Sequence, residues 1–156
     1  MTSGLSSAIA ATAIVMSAAA AQAGGLHVAE KKAALSPVHE FIADMNKGDM
    51  NSAAGLFTAR NDVTDEFAPF HWTGNGFEAW AADYTKMVAA GGFTGVTLHP
   101  AKPDVTLTQD RGYVVVPMRI TWMQQGKKGG EVGDFVVVLA KEGAEWRITS
   151  WTWTHR

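Results

Sequence analysis

The stretch Gly91-Gly92-Phe93-Thr94-Gly95-Val96-Thr97-Leu98-His99-Pro100, with its later continuation Gly112-Tyr113-Val114-Val115-Val116-Pro117-Met118-Arg119-Ile120-Thr121-Trp122-Met123, marks where the apolar period of the chain changes from helical to two. Beyond the two glycines, alternation predicts strands over residues 96–99, 105–108, 112–123, 134–141 and 146–154, joined by turns rich in Gly, Lys and Asp. Before them the spacing is helical. Ser36-Pro37 reads as an N-cap followed by a proline at the first helical position. Val38, Phe41, Ile42 and Met45 then recur at i, i+3, i+4 and i+7 until Lys47-Gly48 stops the helix. Asp49 can cap a second helix over residues 50–57, with Ala53, Leu56 and Phe57 facing inward. Asn75 with Glu78 has the form of a capping box, opening a third helix whose apolar stripe is Phe77, Trp80, Tyr84 and Met87. Helices first and hairpin-linked strands afterwards define an α+β class, a curved antiparallel sheet packed against three N-terminal helices. Strongly curved sheets of this kind close over a cavity.

Outward from that core, the N-terminus has a different composition. From Met1 to Ala29 there is no charged side chain, residues 7–21 are almost all Ala, Ile, Val, Met or small, and Ala21-Gln22-Ala23 supplies the small-x-small pattern of a signal-peptidase site. The expected organisation is a signal peptide over residues 1–23, a flexible leader over 24–35 and a single domain over 36–156, periplasmic or secreted. The n-region departs from the pattern in having no Lys or Arg. A retained anchor is the alternative, but a spanning helix needs about 20 strongly apolar residues and this run is short and Ala-rich, so no stable membrane anchor is expected after cleavage.

The chain has no cysteine, which excludes a disulfide framework, a thiolate nucleophile and Cys-ligated metal. A net charge of -2 with dispersed Lys and Arg offers no footprint for nucleic acid. His39-Glu40 begins like a zinc-protease helix, but Ala43 stands where the second His belongs, and no phosphate loop, dinucleotide fingerprint or nucleophile elbow occurs. Neither a metal nor a cofactor is expected, and a small, largely uncharged ligand suits the charge balance.

Val63-Thr64-Asp65-Glu66-Phe67 reads as a short strand in which alternation puts Val63, Asp65 and Phe67 on one face and Thr64 and Glu66 on the other. An Asp of apolar parity has its charged form disfavoured by desolvation, which moves its pKa toward the range of a general base. Capping a turn or pairing with a cation is the plainer role for such a residue. His71, beside Trp72 on the approach to the third helix, could be an acid-base partner or a surface histidine. Tyr84 belongs to an apolar stripe and could turn its hydroxyl inward, whereas Asp83 faces water and His99 has no evident partner.

These segments carry a resemblance. Val38-His39-Glu40-Phe41-Ile42 through Gly48-Asp49, then Leu56-Phe57, Val63-Thr64-Asp65, a Gly-led third helix and the terminal Trp146-Arg147-Ile148 look like the NTF2-like superfamily, the cone of ketosteroid isomerases and SnoaL-type cyclases. Asp65-Glu66-Phe67-Ala68-Pro69-Phe70 with Trp72-Thr73-Gly74 looks most like exported SnoaL-like proteins of unestablished function. The resemblance places the isomerase general base on Asp65. Its oxyanion-hole Tyr falls on Phe41, and its second acid falls at or next to Val137; neither residue here can donate a hydrogen bond. Such a donor is often worth about 3 kcal/mol, so steroid isomerisation itself is not expected, while base-only chemistry stays open.

By the same resemblance, the face shared by Val114, Val116, Met118, Ile120 and Trp122 lines the cavity, as does the face of Trp151 and Trp153, which His155 shares. Core packing is the bland reading of each aromatic, but together they suit a flat apolar or aromatic ligand. Three functions follow: a cofactor-independent isomerase, cyclase or dehydratase using Asp65; a periplasmic binding module; or an interaction domain that forms a homodimer through the outer sheet face around Tyr113, Val115, Pro117, Val136 and Val138.

Overall fold

The structure, a computed structural model, describes the backbone from Ile9 to the C-terminus and side chains from His27 onward. It divides into two units, Met1–Ala33 and Ala34–Arg156. The expected signal segment and its cleavage site lie outside the residues whose side chains are described. Among the described residues no helix is long and apolar enough to cross a membrane.

Helix α1 spans Ile9–Lys47. The expected start at Ser36 is therefore corrected: Ser36 donates its hydroxyl to Glu40 one turn on, and Pro37 sits inside the helix. Residues 24–35, expected as a leader, are helical too, with Ala34 fully buried. An interior proline removes one backbone hydrogen bond, and here the helix continues past it, with Val38 and Phe41 buried. Gly48, at φ +73°, ends it where the sequence places the stop.

Helix α2 (Met50–Ala54) is shorter than expected, because Phe57 already opens strand β1 (Phe57–Thr64). Asp49 caps α2 by accepting the Ser52 amide at 3.0 Å and the Ser52 hydroxyl at 2.7 Å, bonds that hold its carboxyl below the usual range. After β2 (His71–Trp72), α3 (Gly76–Gly91) begins without the expected capping box, since Asn75 makes no side-chain cap. The cap comes from a distance: buried Asn61 on β1 accepts the Phe77 amide at 2.7 Å and donates to the Thr58 carbonyl at 3.0 Å. Gly76 permits this approach, because a Cβ there would lie 2.7 Å from the Asn61 carbonyl oxygen.

The remaining strands are β3 (Phe93–Pro100), β4 (Asp104–Leu107), β5 (Arg111–Gln124), β6 (Lys127–Glu142) and β7 (Glu145–His155). The sheet runs β2-β1-β7-β6-β5-β3, with β4 also paired to β5. It is mixed rather than antiparallel: β1 lies parallel to β7, through Val63 beside Trp151 and Thr64 beside Thr152. The helical stretch between β2 and β3 and the long hairpins after it allow β1 to enter beside the last strand, a pairing that no local turn dictates. Three helices and a curved, unclosed mixed sheet of seven strands make an α+β architecture among the described residues.

The core is aromatic where α1 meets the sheet. The Phe41 ring stacks on Phe135 at 5.3 Å and meets Phe57 and Phe77 edge-on at 5.8 Å. Asn46, a turn further along α1, ties the helix to β3 through both hydrogen bonds of the Leu98 peptide group. These contacts fix one end of a cavity.

Candidate active-site cavity

Between α1, α3 and the concave side of the sheet lies a cavity of about 290 Å³. Phe41 and Met45 of α1 and Trp80, Tyr84, Met87 and Val88 of α3 form one side. Strand residues Val96, Leu98, Ile120, Trp122, Phe135, Trp151 and Trp153 form the other, with Phe93 at the start of β3. Asp65, Glu66 and Phe67, in the loop after β1, and Glu131 of β6 complete it.

Asp65 sits past the end of β1, its amide bonded to the Phe70 carbonyl at 3.1 Å, so the loop is closed on itself. One carboxylate oxygen accepts the Trp80 indole N–H at 2.8 Å and the other the Glu66 amide at 2.8 Å. Burial raises its pKa above the usual Asp value, and the two donors oppose that rise. Trp80 in turn stacks on Tyr84 at 4.7 Å and meets Trp151 edge-on at 4.9 Å, so the donor to Asp65 is locked in an aromatic cluster. Tyr84 is pushed up to about 12 by burial and by the charges of Asp65 and Glu131, keeping its hydroxyl protonated.

Glu131 carries the largest carboxyl shift. Burial, a hydrogen bond with Glu66 and the negative charges of Glu66 and Asp65 raise it to about 7. His155 Nδ1 lies 3.7 Å from its carboxylate. Glu66, Glu131 and His155 each bring one oxygen or nitrogen into a group no more than 4.8 Å across.

Of the residues singled out from sequence, Asp65, Phe41, Phe67, Tyr84, Trp122, Trp151 and Trp153 line the cavity. Four others do not. His71 is exposed on β2, its Nδ1 paired with the Thr64 hydroxyl at 3.1 Å, and is not among the cavity-lining residues. Trp72 is buried, but its indole donates to Asp83 at 3.1 Å while its ring packs on Phe67 at 5.0 Å. Met118 and Val137, with Val114 and Val116, are buried in the core rather than on the cavity wall, because helices fill that part of the concave face. Asp83 is tied up by Trp72 and Lys86, and His99 pairs with the Thr121 hydroxyl at 2.9 Å.

Two acidic residues were missed. Alternation assigned Glu66 to the opposite face from Asp65, but β1 ends at Thr64 and alternation ends with it. Glu131 was passed over because Gly129, Gly130 and Gly133 disguise the first half of β6. Two of these glycines have a use: a Cβ on Gly133 would come within 2.7 Å of the Trp153 ring, and a Cβ on Gly129 would come closer still to the Trp122 indole. Once β6 is extended, Glu131, Gly133, Phe135 and Val137 share the inward face, and this was the available signal.

The profile of the SnoaL-like domain matches residues 27–152. This chain therefore belongs to the SnoaL-like domain family. Among curated proteins none matches. Solved structures show the same fold: an NTF2-like protein with a cystatin-like fold from Novosphingobium aromaticivorans is 16% identical, with a TM-score of 0.67 over 86% of this chain and 87% of that one. A candidate scytalone dehydratase from the same organism is 14% identical, with a TM-score of 0.68 over 83% and 86%. A type 2 hexachlorocyclohexane dehydrochlorinase, LinA, is 10% identical, with a TM-score of 0.70 over 83% and 87%.

Proposed function

We propose that this chain is an exported protein that holds a small, flat, apolar molecule in the SnoaL-like cavity. It removes a proton from that molecule with Asp65, without a cofactor, in an isomerase, cyclase or dehydratase reaction. The observation that carries this reading is the Asp65 carboxylate on an otherwise largely apolar wall, oriented by Trp80 and the Glu66 amide. A base of this kind needs a donor for the charge that develops on the substrate. Phe41 and Val137 cannot serve, but the Tyr84 hydroxyl and the protonated form of Glu131 face the same cavity. The dehydratase and dehydrochlorinase names of two structural neighbours support proton abstraction followed by elimination as a reaction class. Export rests on the apolar, uncharged residues 1–29 and the Ala21-Gln22-Ala23 site.

The test is α-proton exchange of a bicyclic aromatic ketone such as 2-tetralone in D₂O, followed by NMR. Wild type should accelerate exchange and Asp65→Asn should lose about 10²-fold or more of that acceleration. Equal exchange by both proteins would remove Asp65 as the base. Binding of the ketone without exchange would instead define a non-catalytic binding module.

A second reading adds an interaction role. The outer sheet face carries Tyr113, half exposed, beside Val115, Pro117, Val136 and Val138 in register. A homodimer through this face should sediment as such at micromolar concentration and dissociate in Tyr113→Arg; a monomeric wild type would end this reading.

A further inference from the structure

Resting on the reading of the cavity as the site of a flat apolar molecule, we infer that this molecule carries an anionic substituent, such as a carboxylate, at its end remote from Asp65, received by Lys127 and Lys128 at the β5–β6 hairpin. A second hollow, of about 250 Å³, lies there, lined by Trp122, Gln124, Gln125, Lys127, Lys128 and Gly129. Trp122 also lines the main cavity, so one indole is a wall of both.

The register of the hairpin explains how the two hollows meet. Gln125 and Gly126 both have positive φ, at +50° and +79°, the pattern of a two-residue turn that sets Gln124 opposite Lys127 and Trp122 opposite Gly129. Alternation then puts Lys127 and Gly129 on the same face of β6 as Glu131 and Phe135, which line the main cavity. Gly129 leaves a gap in that row, and the Trp122 indole fills it, since a Cβ at Gly129 would collide with the indole nitrogen. Phe93, another cavity residue, braces Trp122 edge-on at 5.8 Å. Gln124 donates to the Gly91 carbonyl at 2.9 Å, which ties the hairpin to the end of α3. The second hollow is thus held by the folded frame.

Its chemistry is that of a donor set. No Asp or Glu lines it. Among the described residues neither lysine has a carboxylate partner and the Trp122 N–H has no acceptor. Ammonium and indole N–H groups offer hydrogens and no lone pair, so they select an acceptor, and an anionic one most strongly. The other end of the site carries Asp65 and Glu66, whose charge repels an anion. A molecule with one anionic end is therefore oriented, its apolar body among the aromatic rings and its charge at the hairpin, and Asp65 stays free to act as a base. From Glu131 to Lys127 the strand advances roughly 13 Å, a distance that a bicyclic body with a short linker spans.

The experiment titrates two probes of one shape, 4-(2-naphthyl)butanoate and 4-(2-naphthyl)butan-1-ol, into the full chain by isothermal titration calorimetry at pH 7.5. The carboxylate should bind at least about tenfold tighter than the alcohol. In Lys127→Gln with Lys128→Gln that preference should collapse toward unity while the alcohol keeps its affinity, which certifies that the cavity has survived the substitutions. Equal affinity for the two probes in wild type overturns the anion inference and leaves the cavity reading intact. A preference for the carboxylate that survives both substitutions places the charge elsewhere and also overturns it. Binding of neither probe overturns both readings.

Discussion

The indole N–H of Trp80 donates to the Asp65 carboxylate across 2.8 Å, from a helix to a loop fifteen residues earlier in the chain. This bond makes Asp65 a directed carboxylate rather than a free one, because Trp80 is itself only 3% exposed and held between Phe77, Tyr84 and Trp151. Trp80→Phe keeps most of the ring and removes the donor. The expected outcome is a higher Asp65 pKa, read by carboxyl NMR, and a stability loss of about 1–3 kcal/mol in denaturant unfolding. An unchanged Asp65 pKa would show that the bond does not tune the carboxylate.

Glu131 makes stability depend on pH. Its folded pKa of about 7 lies above the ordinary value of 4.5, so the folded chain holds a proton that the unfolded chain has released. The stabilisation is complete below the ordinary value and is lost as pH rises through about 7, a slope that Asp65, also raised, reinforces at lower pH. The groups facing Glu131 are Asp65, Glu66, Tyr84 and His155. Thermal melts from pH 5 to pH 8 should fall in wild type by the equivalent of roughly 1–3 kcal/mol, and Glu131→Gln should flatten most of that fall. Parallel curves for the two proteins would contradict the assignment.

Asn61 joins β1 to α3. Asn61→Ala would orphan the Phe77 amide and the Thr58 carbonyl in a site where the residue is only 3% exposed. The expected cost is about 2–3 kcal/mol, with amide exchange fastest in the first turn of α3. Asn75→Ala, at the nominal cap position, should cost far less, since its side chain makes no cap bond.

Gly133 clears the space that the Trp153 ring occupies. Gly133→Ala would set a methyl against the Thr154 carbonyl oxygen and within 2.7 Å of the ring, both on the neighbouring strand. The expected result is a loss of about 1–3 kcal/mol and a shifted Trp153 emission. A variant as stable as wild type, with unaltered fluorescence, would show that the strand absorbs the methyl.

Much of this protein was legible before its structure. The switch of period at Gly91-Gly92, the Asp49 cap and the Gly48 stop are local signals, set by backbone sterics and short-range hydrogen bonds, and they define an α+β chain of the right family. Asp65 was also legible, through the resemblance; the parity argument for it lapsed, since β1 ends at Thr64 and Asp65 lies in the loop beyond. His71, Met118 and Val137 were not separable from the true wall residues, because alternation reports a face of a strand and cannot say whether a helix or open space covers it. Glu131 was hidden by glycines whose purpose is to admit rings from the neighbouring strands.

The sequence by itself therefore determined the class, the family and one acidic residue, since each depends on neighbours along the chain or on pattern. Only the tertiary structure decided that β1 pairs parallel with β7, that Trp80 holds Asp65, and that Asp65, Glu66 and Glu131 face one cavity. Those facts depend on residues far apart in sequence being brought within a few ångströms of one another, where desolvation and charge act on them together.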